Sequence, residues 1–323
     1  MRYLVTGGTG FVGAYVVAHL VAEGHTVSTF DLTRGSELLD TVCEGSGEVE
    51  QITGDVSDPF AVLGAVRSSG AQRVVHLAAT LSGLSDRNPL RALRVNCEGT
   101  INVFEAALAC DVERVVWAST IGVFGTPGVD HTGDDPTDGL IPNDGPHRPD
   151  GIYGACKSFN ERLAANYRRT RGLDSVGLRY AFTYGYGKSF TVARGTRVGF
   201  MSDLIDRPAL GEAASVIGGD TTFDWVYVTD AARATVLAST APSPSSVALN
   251  VCGTRHSVRE VADVVREIVP ECDLKVADGT WGDSLRYDAV AATEQIGFTA
   301  EIGLREGLES TIADIRRHAA PRT

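Results

Sequence analysis

"VTGGTGFVG", residues 5–13, decides the fold. It closes a short β-branched run, "YLVT" (3–6), and opens a stretch of helical apolar spacing at 11–23. Gly7, Gly10 and Gly13 recur at every third position. In a strand-to-helix turn the first glycine permits the tight turn and the second lets the backbone approach a pyrophosphate. The third allows the helix to pack closely on the strand. The helix N-terminus then offers its N–H groups to the phosphates. A glycine triplet also suits an ordinary βα turn, but this one directly follows the first strand and directly precedes an amphipathic helix, which favours a dinucleotide site.

Working outward, the first 180 residues alternate. Strand-like runs at 26–30, 49–53, 73–78, 114–119 and 175–180 are separated by helix-period stretches at 58–69, 88–110 and 151–171. Several of the runs are apolar on both faces, as in a parallel sheet covered by helices on both sides. The sequence therefore predicts an α/β fold, a doubly wound parallel sheet with right-handed crossovers. After Tyr180 the rhythm loosens: 184–222 is glycine-rich and irregular, followed by strand-like 224–228 and 247–252 and helical stretches at 229–239, 257–269 and 303–318. This predicts a nucleotide-binding domain over 1–180 and a smaller C-terminal α/β substrate lobe over 181–323, interleaved with the last strands of the sheet.

A net charge of −12 argues against a broad nucleic-acid or anionic-membrane surface. No basic segment leads into an apolar one at the start, and no run of about 18 apolar residues occurs, so neither a secretory signal nor a membrane span is expected. The six cysteines are scattered without CxxC pairs or nearby histidines, so no metal site is expected and they read as reduced thiols of a cytoplasmic protein.

Asp31 ends the second strand, eighteen residues after Gly13. An acid there accepts hydrogen bonds from both ribose hydroxyls of NAD and repels the 2′-phosphate of NADP, which makes NAD the expected cofactor. Asp55, in "GDVSD" (54–58), is placed either to take the adenine amino group or to serve as a turn residue capping the next helix.

"YGACK" (153–157) carries the chemistry. Only three of the 29 basic residues are lysines: Lys157, Lys188 and Lys275. On a helix, Tyr153 and Lys157 share a face. A phenol, with its pKa near 10, is a poor base at pH 7; a positive charge about 4 Å away at an effective dielectric near 20 is worth roughly 4 kcal/mol, or about three pKa units. Lysine, a compact point charge with three donors, suits that task where a planar guanidinium does not. Taken alone, such a pair is commonplace on exposed helices; the glycine triplet gives it meaning.

These pieces, with "GDVSD" (54–58), "HLAA" (76–79), "NCEGTINV" (96–103), "STIGVFG" (119–125), "LRYAFTYG" (178–185) and "DWVYVTDAARA" (224–234), occur in the order and spacing of a known family. The chain resembles the extended short-chain dehydrogenases/reductases of the NAD-dependent epimerase/dehydratase group, with some likeness to short-chain-type L-threonine 3-dehydrogenases and to nucleotide-sugar 4-epimerases. The resemblance implies Thr120, rather than Ser119, as the hydroxyl that holds the substrate oxygen, Tyr153 as acid/base, and Lys157 as its tuner and ribose ligand. It implies cofactor contacts from Gly7, Gly10, Phe11, Val12, Gly13, Asp31, Asp55, Val56, Leu77, Ala78, Ala79, Asn96, Tyr153, Lys157 and Tyr180. Substrate contacts are expected from Thr80, Ser82, Thr120, Phe182, Thr196 and Arg197. It also implies a homodimer in which helices 88–110 and 151–171 pair across a two-fold axis; the alternative is that they merely cover the sheet.

Two departures narrow the function. The Asp-Glu pair of family dehydratases is here Ile121 and Gly122, so no acid is available to eliminate water. Epimerases of the family usually place an Asn and an Arg on the substrate diphosphate where this chain has Phe182 and Phe223; Arg194, Arg197 and Arg286 are the cations that could compensate. The expectation is therefore an NAD-dependent oxidoreductase that moves a hydride between nicotinamide and a secondary carbinol of a small polar hydroxy substrate. The alternatives are a UDP-glucose 4-epimerase type enzyme with tightly held NAD, and a non-catalytic NAD-binding scaffold.

Overall fold

The computed structural model of the protein describes residues 1–44, 49–125, 140–191, 199–281 and 286–319. The N-terminal part alternates as β1 (Arg2–Thr6), α1 (Phe11–Ala22), β2 (Thr26–Asp31), α2 (Glu37–Val42), β3 (Glu50–Thr53), α3 (Pro59–Ser69) and β4 (Arg73–His76). Then come α4 (Ser82–Arg87), α5 (Pro89–Ala92), a π-helical turn (Leu93–Glu98), α6 (Gly99–Ala109), β5 (Arg114–Thr120), β6 (Leu140–Ile141), α7 (Ile152–Arg171) and β7 (Ser175–Tyr180). The remainder holds β8 (Phe182–Tyr184), α8 (Arg207–Ala209), β9 (Ala214–Val216), β10 (Thr222–Tyr227) and α9 (Val228–Thr240). It ends with β11 (Ala248–Val251), β12 (Thr254–Ser257), α10 (Val258–Ile268), β13 (Leu274–Val276), β14 (Arg286–Tyr287), α11 (Val290–Ile296) and α12 (Leu304–Ala319).

Seven strands form one parallel sheet in the order β11-β7-β5-β4-β1-β2-β3. Successive side chains point to opposite faces. Tyr3, Val5 and Val75 pack toward α1 and α9, while Leu4, Val74, Val115 and Trp117 pack toward α3, α6 and α7. That two-sided burial is why the strand runs read as continuously apolar. The order reverses between β1 and β4, which opens a crevice at their carboxyl ends where ligands bind in such sheets. β11 belongs to this sheet, and one apolar cluster joins α1 to α9, α10 and α12, so packing runs without a break across residue 180. Beside it lie a three-stranded sheet, β12-β10-β8, and two small pairs, β13-β9 and β14-β6.

The expected single helix at 88–110 is interrupted by the π-helical turn at Leu93–Glu98, and the short helices α2 and α4 fill segments without a sequence period. Among the described residues, no helix is long and apolar enough to cross a membrane.

One buried ion pair ties α7 to the sheet. Arg179 of β7 donates from Nε to Glu161 Oε1 (2.8 Å) and from Nη2 to Oε2 (2.6 Å). Ser119 Oγ donates to Oε1 (2.7 Å), and His147 Nε2 lies 3.1 Å from Oε2. Burial opposes the Glu161 charge, but the bonds from Arg179, His147 and Ser119 outweigh it and hold the carboxyl down at about 2. Its stabilisation is therefore fully present above about pH 4.5 and is lost as pH falls toward 2. Glu161→Gln should lose about 3 kcal/mol or more in urea unfolding at pH 7, because it leaves a buried guanidinium uncompensated. The gap to wild type should narrow below pH 4.5; a constant gap down to acid would refute this account.

Candidate active site

The turn after β1 is built on close approach. Gly7 has φ +74°, and a Cβ there would sit 2.6 Å from the Ala78 N; a Cβ on Gly13 would sit 2.0 Å from the Gly7 O. No larger residue fits either place. α1 starts at Gly10, which provides no side-chain cap, so its first turn keeps N–H groups for an anion. Asp31, at the end of β2, accepts from Thr9 Oγ1 (2.9 Å) and Thr9 N (3.3 Å), which orients the carboxylate.

A cleft of about 620 Å³ runs from this turn across the carboxyl ends of β1, β4, β5 and β7. All the cofactor residues named from the sequence line it except Asn96 and Lys157, and so do Thr80, Ser82, Thr120 and Phe182. Thr196 and Arg197, along with Arg194, lie outside the described residues. Asn96, fully buried on the π-helical turn, accepts from Thr80 N (2.8 Å) and donates to Thr80 O (3.0 Å). These bonds brace Thr80, which lines the cleft. Asp55 accepts from Ser57 N and Oγ (2.9 and 2.8 Å) and faces Arg91 at 3.6 Å. Partial burial works against its charge, but these partners prevail and hold its carboxyl below the usual range. The cap of α3 is Asp58, which accepts from Phe60 N and Ala61 N.

α7 places Tyr153 in the cleft and Lys157 one turn behind it, buried, with Nζ 5.6 Å from the centre of the phenol ring. Thr120 is the last residue of β5; its Oγ1 accepts from Gly122 N (3.1 Å), while neighbouring Ser119 is bound to Glu161. The expected depression of the phenol pKa is not what the protein alone produces. Burial pushes Tyr153 up to about 12, with a smaller push from Cys156, and burial brings Lys157 down to about 8. For Lys157 desolvation outweighs the attraction of the Cys156 and Cys97 thiols, whereas for Tyr153 both influences act in the same direction. Tyr180 lines the cleft and shares a hydrogen bond with Thr235 (2.7 Å). Phe182, also in the cleft lining, stacks on Phe223 with centroids 4.6 Å apart and meets Trp225 edge-on at 4.8 Å.

The turn, the acid at the end of β2 and the tyrosine–lysine helix coincide with what known proteins share. Residues 3–252 match the NAD dependent epimerase/dehydratase family. The chain belongs to that family, within the extended short-chain dehydrogenases/reductases. It is 30% identical over 324 residues to the UDP-glucose 4-epimerase of Mycolicibacterium smegmatis, covering 98% of this chain and 99% of that one. It is 33% identical over 250 residues to the 2-alkyl-3-oxoalkanoate reductase of Stenotrophomonas maltophilia, covering 76% and 67%. The structure superposes on the UDP-glucose 4-epimerase of Thermus thermophilus, solved with NAD, at a TM-score of 0.79 and 26% identity, over 98% of this chain and 99% of that one.

This family member is an enzyme with NAD as its cofactor. The glycine cradle and the Asp31 carboxylate fit that cofactor. Sequence reasoning missed Lys188, which lines the cleft, and the arginine–glutamate pair behind Ser119. The scarcity of lysine was a usable signal for the first; the second depends on a contact between distant segments and had none. Among the described residues, no group of His, Cys, Asp and Glu is arranged to hold a metal ion. With Asp31 in this place, NAD should bind much more tightly than NADP by fluorescence quenching, and Asp31→Ala should narrow the difference. Equal affinities in the wild type would overturn the assignment.

Proposed function

We propose that the protein is an NAD-dependent dehydrogenase of a small hydroxy compound. NAD, when bound, exchanges a hydride with the carbinol carbon. Thr120 would hold the reacting oxygen by hydrogen bonding, and Tyr153 would take or return its proton. A phenol lifted to about 12 stays protonated at neutral pH, so it holds a proton to give to the more basic alkoxide formed in reduction. For oxidation it needs the positive charge of Lys157 and of the oxidised cofactor to act as a base. The observation that carries the reading against a nucleotide sugar is the Phe182–Phe223 stack, which puts two apolar rings, Phe182 lining the cleft, at the positions where family epimerases usually carry diphosphate ligands. The reductase relative supports a substrate without a nucleotide.

A 4-epimerase is the second reading. It is favoured by the epimerase relative, which matches nearly the whole of both chains, whereas the reductase match covers 76% of this one. The six free cysteines fit the reducing cytoplasm.

The two readings separate in one assay. Secondary hydroxy compounds should give net NADH, and Tyr153→Phe should cut that rate by at least about 100-fold while NAD binding persists. UDP-glucose should not raise the melting temperature of the NAD-loaded protein. A clear rise, with no NADH formed from any hydroxy compound, would promote the epimerase.

A homodimer through α5, α6 and α7 is part of the same proposal. Leu90 (60% exposed), Leu93 (49%) and Phe159 (45%) give these segments an open apolar face. Light scattering should return twice the 34.2 kDa chain mass, and Phe159→Glu should shift the protein to monomer; a monomeric wild type would reject it.

A further inference from the structure

Thr120 and Tyr153 stand on different elements, the end of β5 and the first turn of α7, so their spacing depends on how those elements are held together. Two contacts hold them, one on each side of Thr120. Before it, Ser119 Oγ donates to Glu161 Oε1 at 2.7 Å, and Glu161 is itself fixed by Arg179. After it, Thr120 caps a 3-10 turn (Ile121–Val123), and its Oγ1 accepts from Gly122 N at 3.1 Å. The carbonyl of that same Gly122 rests against Gly154, the residue that follows Tyr153. A Cβ at Gly154 would sit 2.6 Å from Gly122 O and 3.1 Å from Pro149 Cβ. The chain entering α7 also grips the turn, with Arg148 N donating to Val123 O at 2.8 Å.

Gly154 and Glu161 are seven residues apart, two turns along one face of α7. The helix thus touches the segment around Thr120 at two points and bears Tyr153 beside one of them. Gly122 is the shared part: its N–H orients the Thr120 hydroxyl, and its carbonyl meets the helix backbone. This explains the residue type at 154. A glycine within a helix destabilises it relative to alanine, and the φ of Gly154 is not left-handed, so the backbone itself does not call for glycine. What excludes a methyl group is the Gly122 carbonyl. From 2.6 Å to ordinary contact at 3.4 Å is a retreat of about 0.8 Å, which a backbone carbonyl cannot make by changing rotamer.

We propose that Gly154 is a positioning residue for the reaction, acting with the Glu161 anchor: its missing side chain lets α7 close on the Gly122 carbonyl, which sets the distance between the Thr120 and Tyr153 hydroxyls. The inference rests on hydride chemistry at Thr120 and Tyr153, which the dehydrogenase and epimerase readings share.

The test uses the NAD-loaded full-length protein. Turnover is followed with 3-hydroxybutyrate, as NADH formed, and with UDP-galactose, as UDP-glucose formed, one substrate for each reading. Gly154→Ala should lower kcat on the accepted substrate by about 10- to 100-fold, the usual cost of a misplacement near 1 Å, with KM and NAD affinity close to wild type. Gly64→Ala, inside α3 where a Cβ meets nothing within 4 Å, should leave kcat unchanged. Ser119→Ala releases the other hold without adding bulk, so it should lower kcat by a smaller factor, again without a change in KM, and it serves if Gly154→Ala does not fold. A crystal structure of Gly154→Ala should show Gly122 displaced and its bond to Thr120 lengthened or lost. A fall in NAD affinity in step with kcat would reduce Gly154 to a structural residue. An unchanged kcat, or Gly122 and Thr120 found in place, would overturn the proposal. If the wild type accepts neither substrate, the two readings of the reaction fail with these compounds, and the position of Gly122 and Thr120 in the Gly154→Ala crystal decides the bracket by itself.

Discussion

The bidentate pair between Arg179 and Glu161 sets the geometry on which the cleft depends. It joins the helix that carries Tyr153 and Lys157 to the strand that ends in Tyr180. Through Ser119 it also reaches the residue next to Thr120. Arg179 further donates to Asn143 O and to Asn250 Oδ1, drawing in the chain before α7 and the edge strand β11. Phe124 covers the guanidinium at 4.9 Å from its ring centre. A buried pair gains little over apolar packing, because desolvation offsets most of the attraction. Its value here is register: two fork-shaped groups with further partners fit in one arrangement, so α7 cannot slide along the sheet without stranding a charge.

Burial then determines how the reactive groups behave. Tyr153 is pushed up and Lys157 down by the same desolvation, which leaves the pair closer to neutrality than either group would be in water. Such a pair is a poor base until another positive charge arrives. The proposed chemistry supplies that charge only with the oxidised cofactor, so the base would be made when the cofactor is in place. This couples proton removal to the presence of the hydride acceptor and needs no moving part. His76, in the same layer, is kept neutral by burial, with the Lys157 charge adding to the effect, and is held between Thr6 and Thr100. The buried histidine thus brings no rival charge to the lysine.

The parts of the site legible in the sequence are those fixed by local sterics. Gly7 and Gly13 are dictated by contacts of 2.6 and 2.0 Å that exclude a Cβ, and Asp31 by its place at the end of β2. The sheet was legible because strands buried on both faces must be apolar on both. The bonds of Asn96 to Thr80 were not legible, because Asn96 sits on a π-helical turn and the helical spacing of 88–110 carries no mark of that extra residue per turn. The Arg179–Glu161 pair is eighteen residues apart in sequence, on a helix and a strand whose relative register no local pattern states. Lys188 stood out by rarity, but its direction depends on two positive-φ glycines wedged between helices distant in the chain.

Phe182 is the point where family architecture and individual substrate part. It stacks on Phe223 and Phe200, and Phe200 in turn meets Trp281 at 4.6 Å, so a ladder of rings runs from the cleft to the surface. Aromatic pairs in offset stacking contribute about 0.5–1.5 kcal/mol beyond their buried area, so the ladder is a stable wall with little tendency to part for a ligand. The ring faces themselves offer a diphosphate no hydrogen bond, and their negative quadrupoles repel an anion. The same quadrupoles attract the Lys188 ammonium, which lies over Phe182. The rings therefore both wall this side of the cleft and carry the Lys188 ammonium over the Phe182 face.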